Sequence, residues 1–499
     1  MTNMNIQQMQ VNPFFLFIIT AFLVRILTIG SYPLMDTTEA RYGEIARIMY
    51  ETGDWITPYF DYGVPFWGKP PLSFWLSALS FKLLGVNEFA VRLPSIISSV
   101  ITVWILSEGA KKLSPHNLWI PGALIVASPV FYVVMGGIMT EPTLMLGISL
   151  SVVAFIRSQD HSSTQRGYWP WLFFIGLAIG MLSKGPVMLI FIGLPLVLWA
   201  MFYNKYNDVF IMLPWFRGSL LFIILVLPWY IAAESKTPGF IDYFIIGEHI
   251  NRFLVSGWQG DLYGSAHKRP RGTIWLYFLI ACLPWLLVIT VHLLLKIKRY
   301  GMKYISRLNF DDLDMLLILW AFIPLLFFTF AGNILATYAL PGLPSLVLFI
   351  ARKHEQLSLN AQTATNKTPQ NISIKHSTWL AYSGYFTIVL YVVLISWMSM
   401  NPGKIKSSKL LLTPVADNIM NNVPIYYLDQ VSFSARYYSN GMIQRFPGAD
   451  KISSLSHYYL YVLKDINDSG LPSSMNVVAE NNTAILYEYG TGLVDEVIE

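Results

Sequence analysis

The sequence predicts an α-helical polytopic membrane protein that carries a small α/β domain at its C-terminal end. Three observations lead there. Of the 499 residues, 54% are hydrophobic and only 13% charged, a balance outside that of soluble globular chains. Apolar stretches of about 17–25 residues, enough to cross a hydrocarbon layer of ~30 Å, recur along the chain. Past residue 398 that pattern stops, and short aromatic and β-branched runs alternate with Asn, Gly and Ser clusters.

The apolar stretches fall near 13–31, 92–109, 118–135, 141–157, 170–183, 186–203, 212–232, 274–297, 314–331, 333–351 and 378–398. They give about eleven transmembrane helices, or up to about thirteen if shorter runs such as 72–85 also cross. Met1–Gln10 holds no Lys or Arg, and no small-residue cleavage site follows the first run. That run is therefore expected to be a retained span rather than a signal peptide. The membrane domain is expected over 1–398, interrupted by long loops at 32–91 and 233–273, with a separate domain at 399–499. In that tail IYYL (425–428), YYLYVL (458–463) and NTAILYEY (482–489) read as strands. The polar segment 353–376 reads as a flexible linker. No internal repeat is visible, which argues against an inverted-repeat transporter.

Basic residues orient these spans. Lys111, Lys112, Arg157, Arg166, Lys205, Arg217, the run KIKRYGMKYISR (296–307), Arg352 and Lys353 occupy every second connection. The alternate connections near 136–141 and 332 hold none. The positive-inside rule then puts the N-terminus in the cytoplasm and the two long loops and the tail outside. The net charge of +5 resides in these loops, so it does not indicate a nucleic-acid partner. Cys282 is the single cysteine, which excludes an internal disulfide.

Ionisable groups concentrate just beyond the first span. YPLMDTTEARYGEIARIMYETGDW (32–55) holds three glutamates, two aspartates and two arginines. DTTEARYGEIARIMYETG predicts a short helix with Thr37 or Thr38 at its N-cap and Gly53 as its stop. Arg41, Glu44, Arg47 and Glu51 would form an ion-pair ladder along one side. Asp36, Glu39 and Arg41, nearest the membrane surface, are the candidates for chemistry. In YFDYGVPFWGKPPLSFW, Lys69 sits among prolines and aromatics, a stiff ammonium at headgroup depth suited to a lipid phosphate. Lys82 and Arg92 read as headgroup anchors. Glu141 in MTEPTL, Lys184 in LSKGPV, and His249 with Arg252 in GEHINRF punctuate apolar runs on the same side, where charges usually line a cavity or pair. DDLD (311–314) reads as a solvated helix start, not a metal-holding motif. No glycine-rich phosphate loop follows a strand.

The motifs DTTEARYGEIARIM, GDWITPYFDYGVPFWGKPPLSFWLSA, GVNEFAVRLPS, LSKGP and EHINRF, then AHKRP and LPW, resemble the bacterial relatives of protein O-mannosyltransferases. Nearest is the aminoarabinose-transferase-like branch that modifies lipid A. The resemblance runs from about residue 13 to 350, with a weaker echo at SARYYS (434–439). It implies a C-type membrane glycosyltransferase fold. The implied reaction moves a sugar, with inversion, from a polyprenyl (undecaprenyl) phosphate carrier to lipid A or another envelope glycan. It would run at the periplasmic face of a bacterial inner membrane. Transfer to protein Ser/Thr is the alternative, and a lipid or sugar transporter a more distant one. By motif position, Arg41 and Lys69 match carrier-phosphate contacts, while Asp36 or Glu39, together with Glu141, match the acidic catalytic positions. His249, Arg252 and His267 fall in the second active-site loop, with Lys184 in the same cavity. The expected partners are the carrier-linked donor, the acceptor and membrane lipids, with no nucleic acid.

Three departures from the family pattern stand out. Thr38 replaces an Asp three residues before the matched Arg. Gly68 replaces a Glu that precedes the matched Lys and belongs, with a loop histidine, to a metal site, so no metal or other cofactor is expected. AGNILATYALP (331–341) lacks two lysines of the aminoarabinose branch, which suggests a different donor or acceptor.

Overall fold

The structure, a computed structural model of the chain, describes residues 12–159, 167–264, 267–301, 309–363, 369–447, 457–464 and 475–490. The start of the chain, Arg166 and half of the basic run 296–307 lie outside these. Every apolar stretch named above is helical, and so is 72–85, as Leu72–Leu84. The chain is a multi-pass membrane protein. Among the described residues, five helices are long and apolar enough to cross a membrane, and Thr273–Ala281 with Trp285–Arg299 forms an apolar pair bent by 82°, the shape of a broken span or a re-entrant loop. The other apolar helices, such as Pro13–Thr28 and Trp169–Lys184, are shorter. Proline explains much of this shortening, because it lacks a backbone donor and clashes with the preceding turn. Ser128–Pro129 splits the 118–135 stretch into Ile120–Ala127 and Pro129–Val134, and Pro284 lies at the 82° bend.

The segment 353–376 departs from the expected linker. Helix Leu343–Thr363 runs into it and helix Pro369–Met400 begins within it. Its Gln, Leu, Ala and Lys residues are good helix formers, and Pro369 suits a first helical position.

Two helices set the position of the site to come. Glu141–Ser158 and Trp169–Lys184 run antiparallel and press together through small residues. A Cβ on Gly147 would lie 2.7 Å from the Gly176 carbonyl oxygen, and one on Gly176 2.4 Å from Ser151 Oγ. Such contacts let helix backbones approach closely in a membrane. The first residue of one helix, Glu141, thereby meets the last residue of the other, Lys184.

Basic residues from several connections gather at the opposite end. Lys205 Nζ is 3.0 Å from Asp312, Arg352 binds Asp311 and Asp314 at 2.6 Å and 2.8 Å, and Lys353 reaches Asp314 at 2.5 Å. DDLD is a helix start, as expected, closed by a capping box between Asp311 and Asp314. It is not solvated throughout, however. Asp314 is fully buried, because its two cations supply what water otherwise would.

The tail folds as predicted, into a sheet with short helices. Strand order is Gln444–Arg445, Ile425–Tyr427, His457–Leu463, Ala484–Gly490, Asn476–Glu480. The first two pairings are parallel and the rest antiparallel. Along YYLYVL, Tyr459 and Tyr461 enter one buried cluster and Tyr458, Leu460 and Val462 another, the period of two that a strand imposes. The tail helix Phe433–Tyr438, which contains most of SARYYS, packs on the first long loop. Ser434 N–H donates to Asp36 at 3.0 Å, Arg436 pairs with Asp61, and Leu34 N–H donates to Tyr438 Oη at 2.7 Å.

Candidate active site

The loop helix Thr38–Thr52 ends, as predicted, on Gly53 at φ 67°, a left-handed position that favours glycine. It buries Ala40, Ile45, Ala46 and Met49 in a cluster with Phe74, Ala78 and Phe81 of Leu72–Leu84. The ladder forms from Glu44 to Glu51: Arg47 Nε is 2.7 Å from Glu44 and Nη1 2.6 Å from Glu51. Arg41 does not join it. Its guanidinium donates to the Tyr263 carbonyl of the other long loop and lies over the rings of Tyr42 and Phe433, 5.4 Å and 5.9 Å from their centroids. Its buried Nε has no hydrogen-bond partner among the described residues.

The other acidic candidates have definite partners. Arg92, expected as a headgroup anchor, is instead fully buried, its guanidinium 2.9 Å and 3.0 Å from the Glu39 oxygens. It also donates to the carbonyls of Ile29 and Tyr32. An interior guanidinium requires that many acceptors, which is why it cannot reach headgroups. Glu39 is thus a counter-ion. Asp36 accepts from Ser434 N–H and Oγ. Burial raises its pKa above the ordinary carboxylate value, although the Ser434 hydrogen bonds oppose this. No hydrogen bond or ion pair joins Asp36 or Glu39 to Arg41, Lys69 or Arg252 among the described residues.

Lys69 and Arg252 converge on a residue that sequence reasoning passed over. Glu248 stands 3.0 Å from Lys69 Nζ and 3.0 Å from Arg252 Nη1. Asp261 lies 3.3 Å from the same Arg252 nitrogen. Burial alone would lower the Lys69 and Arg252 pKa values, but neighbouring Glu248 raises both above their ordinary positions. Burial works to raise the Glu248 carboxyl in turn, and the two cations carry it below its usual range. These three groups stay charged together. GEHINRF contained the signal: Glu248 and Arg252 are four apart, the spacing of a helical ion pair. Lys69 is 179 residues away in sequence, a pairing no spacing reveals.

The second cluster is Glu141 and Lys184, 2.6 Å apart. Thr337 donates to Glu141 at 3.0 Å, and Lys184 Nζ sits 4.9 Å from the Tyr338 ring centroid. The His249 ring nitrogens are 2.7 Å and 3.3 Å from the Phe244 and Lys184 carbonyls. Burial lowers its pKa, and the single N–H of a neutral ring serves one of these carbonyls, the shorter contact being that of Nδ1 to Phe244. His267 N–H chemistry is likewise biased to the neutral form, first by partial burial and then by Arg252. Its carbonyl accepts from Ile334 N–H at 3.0 Å. The segment 331–341, noted for its missing lysines, contributes Asn333 as well, which donates to the Arg252 and Val255 carbonyls.

Comparison with known proteins shows what this architecture is similar to. The crystal structure of ArnT from Cupriavidus metallidurans bound to undecaprenyl phosphate matches with a TM-score of 0.76 at 17% identity, over 95% of this chain and 97% of that one. The fold is therefore that of a C-type membrane glycosyltransferase. In sequence, residues 14–244 match the family described as dolichyl-phosphate-mannose-protein mannosyltransferase. The undecaprenyl phosphate-alpha-4-amino-4-deoxy-L-arabinose arabinosyl transferase of Enterobacter sp. (strain 638) is 29% identical over 388 residues, 75% of this chain and 64% of that protein. Its counterpart in Yersinia enterocolitica is 31% identical over 342 residues, 66% of this chain and 57% of that protein. The resemblance drawn from the motifs holds: the chain is similar to these transferases. It spans less than two thirds of the length of either, 64% and 57%. The family match covers Arg41, Lys69, Glu141 and Lys184 but stops at residue 244, just before Glu248 and Arg252.

Proposed function

We propose that the protein is an inverting glycosyltransferase that takes a sugar from undecaprenyl phosphate and passes it to lipid A or another envelope glycan. Its active face is periplasmic, with the N-terminus cytoplasmic and the tail domain outside. One observation carries this reading. Arg41, Lys69 and Arg252 come from two loops far apart in sequence, and Arg41 has no acidic partner among the described residues. Breaking the anomeric bond leaves a phosphate dianion, which needs cations already aimed at it. Arg41 and Arg252 offer planar forks and Lys69 a point charge. The relatives' names, which specify an undecaprenyl phosphate donor, support the same choice of carrier.

Of the three acidic candidates, Glu39 and Glu141 are each locked to a cation. Asp36 makes no ion pair among the described residues, and its carboxyl, raised by burial against the Ser434 hydrogen bonds and the Lys406 charge, suits a general base. We assign it the acceptor proton, with Lys184 and Glu141 shaping the sugar pocket beside Tyr338. His249 and His267 support this pocket from behind.

A resident metal does not fit these residues. Gly68 brings no ligand, and a Cβ there would lie 2.9 Å from the Phe66 ring. Both His249 nitrogens face carbonyls, and Glu248 is held by Lys69 and Arg252. We therefore propose catalysis by side chains alone.

The test is mass spectrometry of lipid A from a deletion strain complemented with wild type or with Arg41→Ala. Wild type should restore one sugar-sized mass and Arg41→Ala should not. Unchanged lipid A across all strains, with expression verified, would reject that acceptor and turn attention to protein-linked glycans.

A further inference from the structure

Away from the cation cluster, at the far end of the loop helix, lies an open cleft of about 710 Å³. Trp55, Ile56, Tyr59 and Tyr62 line it, with Asp54 and Lys236 paired at 2.5 Å. None of these residues has a part in the proposed reaction. Arg41 and Thr52 are eleven residues apart on one helix, so the cleft begins roughly 16 Å from the Arg41 backbone at ~1.5 Å per residue.

The cleft wall is built, not incidental. Asp54 accepts the N–H groups of Ile56 and Thr57, both at 3.1 Å, which closes a tight turn. Two indoles from neighbouring helices then fix the turn's outer side: Trp75 Nε1 donates to the Trp55 carbonyl at 2.6 Å, and Trp229 Nε1 to the Ile56 carbonyl at 2.9 Å. Yet Trp55 is 37% exposed and Tyr62 45%. A backbone held so firmly with its large rings left in the open is typical of a binding surface, where rigid aromatics give contact area at small entropic cost.

We infer that this cleft binds the saccharide of the acceptor. Aromatic faces pack against the C–H-bearing face of a pyranose, and the Asp54–Lys236 pair offers one acceptor and one donor for ring hydroxyls without net charge. The volume lies within the about 300–1,000 Å³ of small-molecule sites and accommodates a disaccharide. Lys236 closes the last turn of the span Trp215–Lys236, so the cleft opens where a membrane-anchored glycan emerges from the hydrocarbon. This inference rests on the transferase reading, and the experiment separates the two.

The full chain in nanodiscs free of sugar detergents is probed by saturation-transfer NMR with chitobiose and with maltose, and separately by undecaprenyl phosphate titration. Chitobiose should show transfer that drops at least five-fold in Trp55→Ala and survives in Trp55→Phe, with undecaprenyl phosphate binding unchanged in both. No transfer to either disaccharide, or equal transfer in Trp55→Ala, overturns the cleft assignment. If the wild type fails to bind undecaprenyl phosphate while the Trp55-dependent transfer persists, the donor reading falls and the saccharide site stands.

Discussion

Glu248 Oε2 lies 3.0 Å from Lys69 Nζ while Glu248 Oε1 lies 3.0 Å from Arg252 Nη1, so one carboxylate holds two of the three cations assigned to the carrier phosphate. An arriving phosphate competes with it for both. Glu248→Gln should therefore bind undecaprenyl phosphate more tightly while losing fold stability. Two buried cations would lose their counter-charge, a change of about 3 kcal/mol or more. The depressed Glu248 pKa fixes the pH sign: its stabilisation is present above the ordinary 4.5 and disappears as pH falls through the lower folded value. Thermal unfolding of wild type and variant from pH 7 down to pH 3 should show the two curves converging at the acid end.

Arg41 offers a different measurement. Arg41→Ala should lower kcat/KM by about 100-fold or more, the usual effect of deleting a donor aimed at developing negative charge. Arg41→Lys should recover only part of that, because an ammonium cannot reproduce the fork. Equal activity in the alanine variant would remove Arg41 from the chemistry.

Asp36 makes activity and stability move in opposite directions. Its raised folded pKa means that its contribution to stability is complete only below the ordinary 3.8 and is lost as pH rises through the folded value. At pH 7 the buried carboxylate is thus a cost. Asp36→Asn should abolish turnover while holding or raising the melting midpoint, and the wild-type rate should fall as acid protonates the base. A variant that loses stability at pH 7 would identify Asp36 as a structural anchor for the tail.

Glu141 and Lys184 call for a double-mutant cycle. Glu141→Gln alone strands a buried ammonium and should cost roughly 3–5 kcal/mol. Glu141→Gln with Lys184→Met should recover most of this, since an uncharged pair leaves no unpaired charge in the interior. Additive losses would show that the two act independently.

How far the sequence revealed the molecule depended on whether a signal was local. Spans follow from the length of an apolar run, tail strands from aromatic and β-branched runs between turn residues, and the loop helix, its Gly53 stop and the Glu44–Arg47–Glu51 ladder from helical spacing, each within one segment. Helix breaks at Pro129 and Pro284 escape hydropathy, which averages over a proline without noticing its missing donor. Charge partners escape for a different reason. Arg92 was placed at the headgroups because nothing near it in sequence shows that Glu39, 53 residues earlier, lies beside it. Lys69 and Arg252 were both selected as cations, yet Glu248 between them was not. Thr337 and Tyr338 carry no charge, and their segment 331–341 drew notice only for the lysines it lacks.

The hold of the tail on the first loop has a consequence for how this protein is able to diverge. Phe433 overlies Arg41, Ser434 grips Asp36 and Arg436 binds Asp61, so residues nearly four hundred positions apart form one wall. A lineage that reshapes this wall for a new acceptor must alter both ends of the gene in step. Exchange of the tail between relatives should then fail unless the first loop travels with it, and chimaeras joined near residue 398 would carry mismatched halves of a single surface.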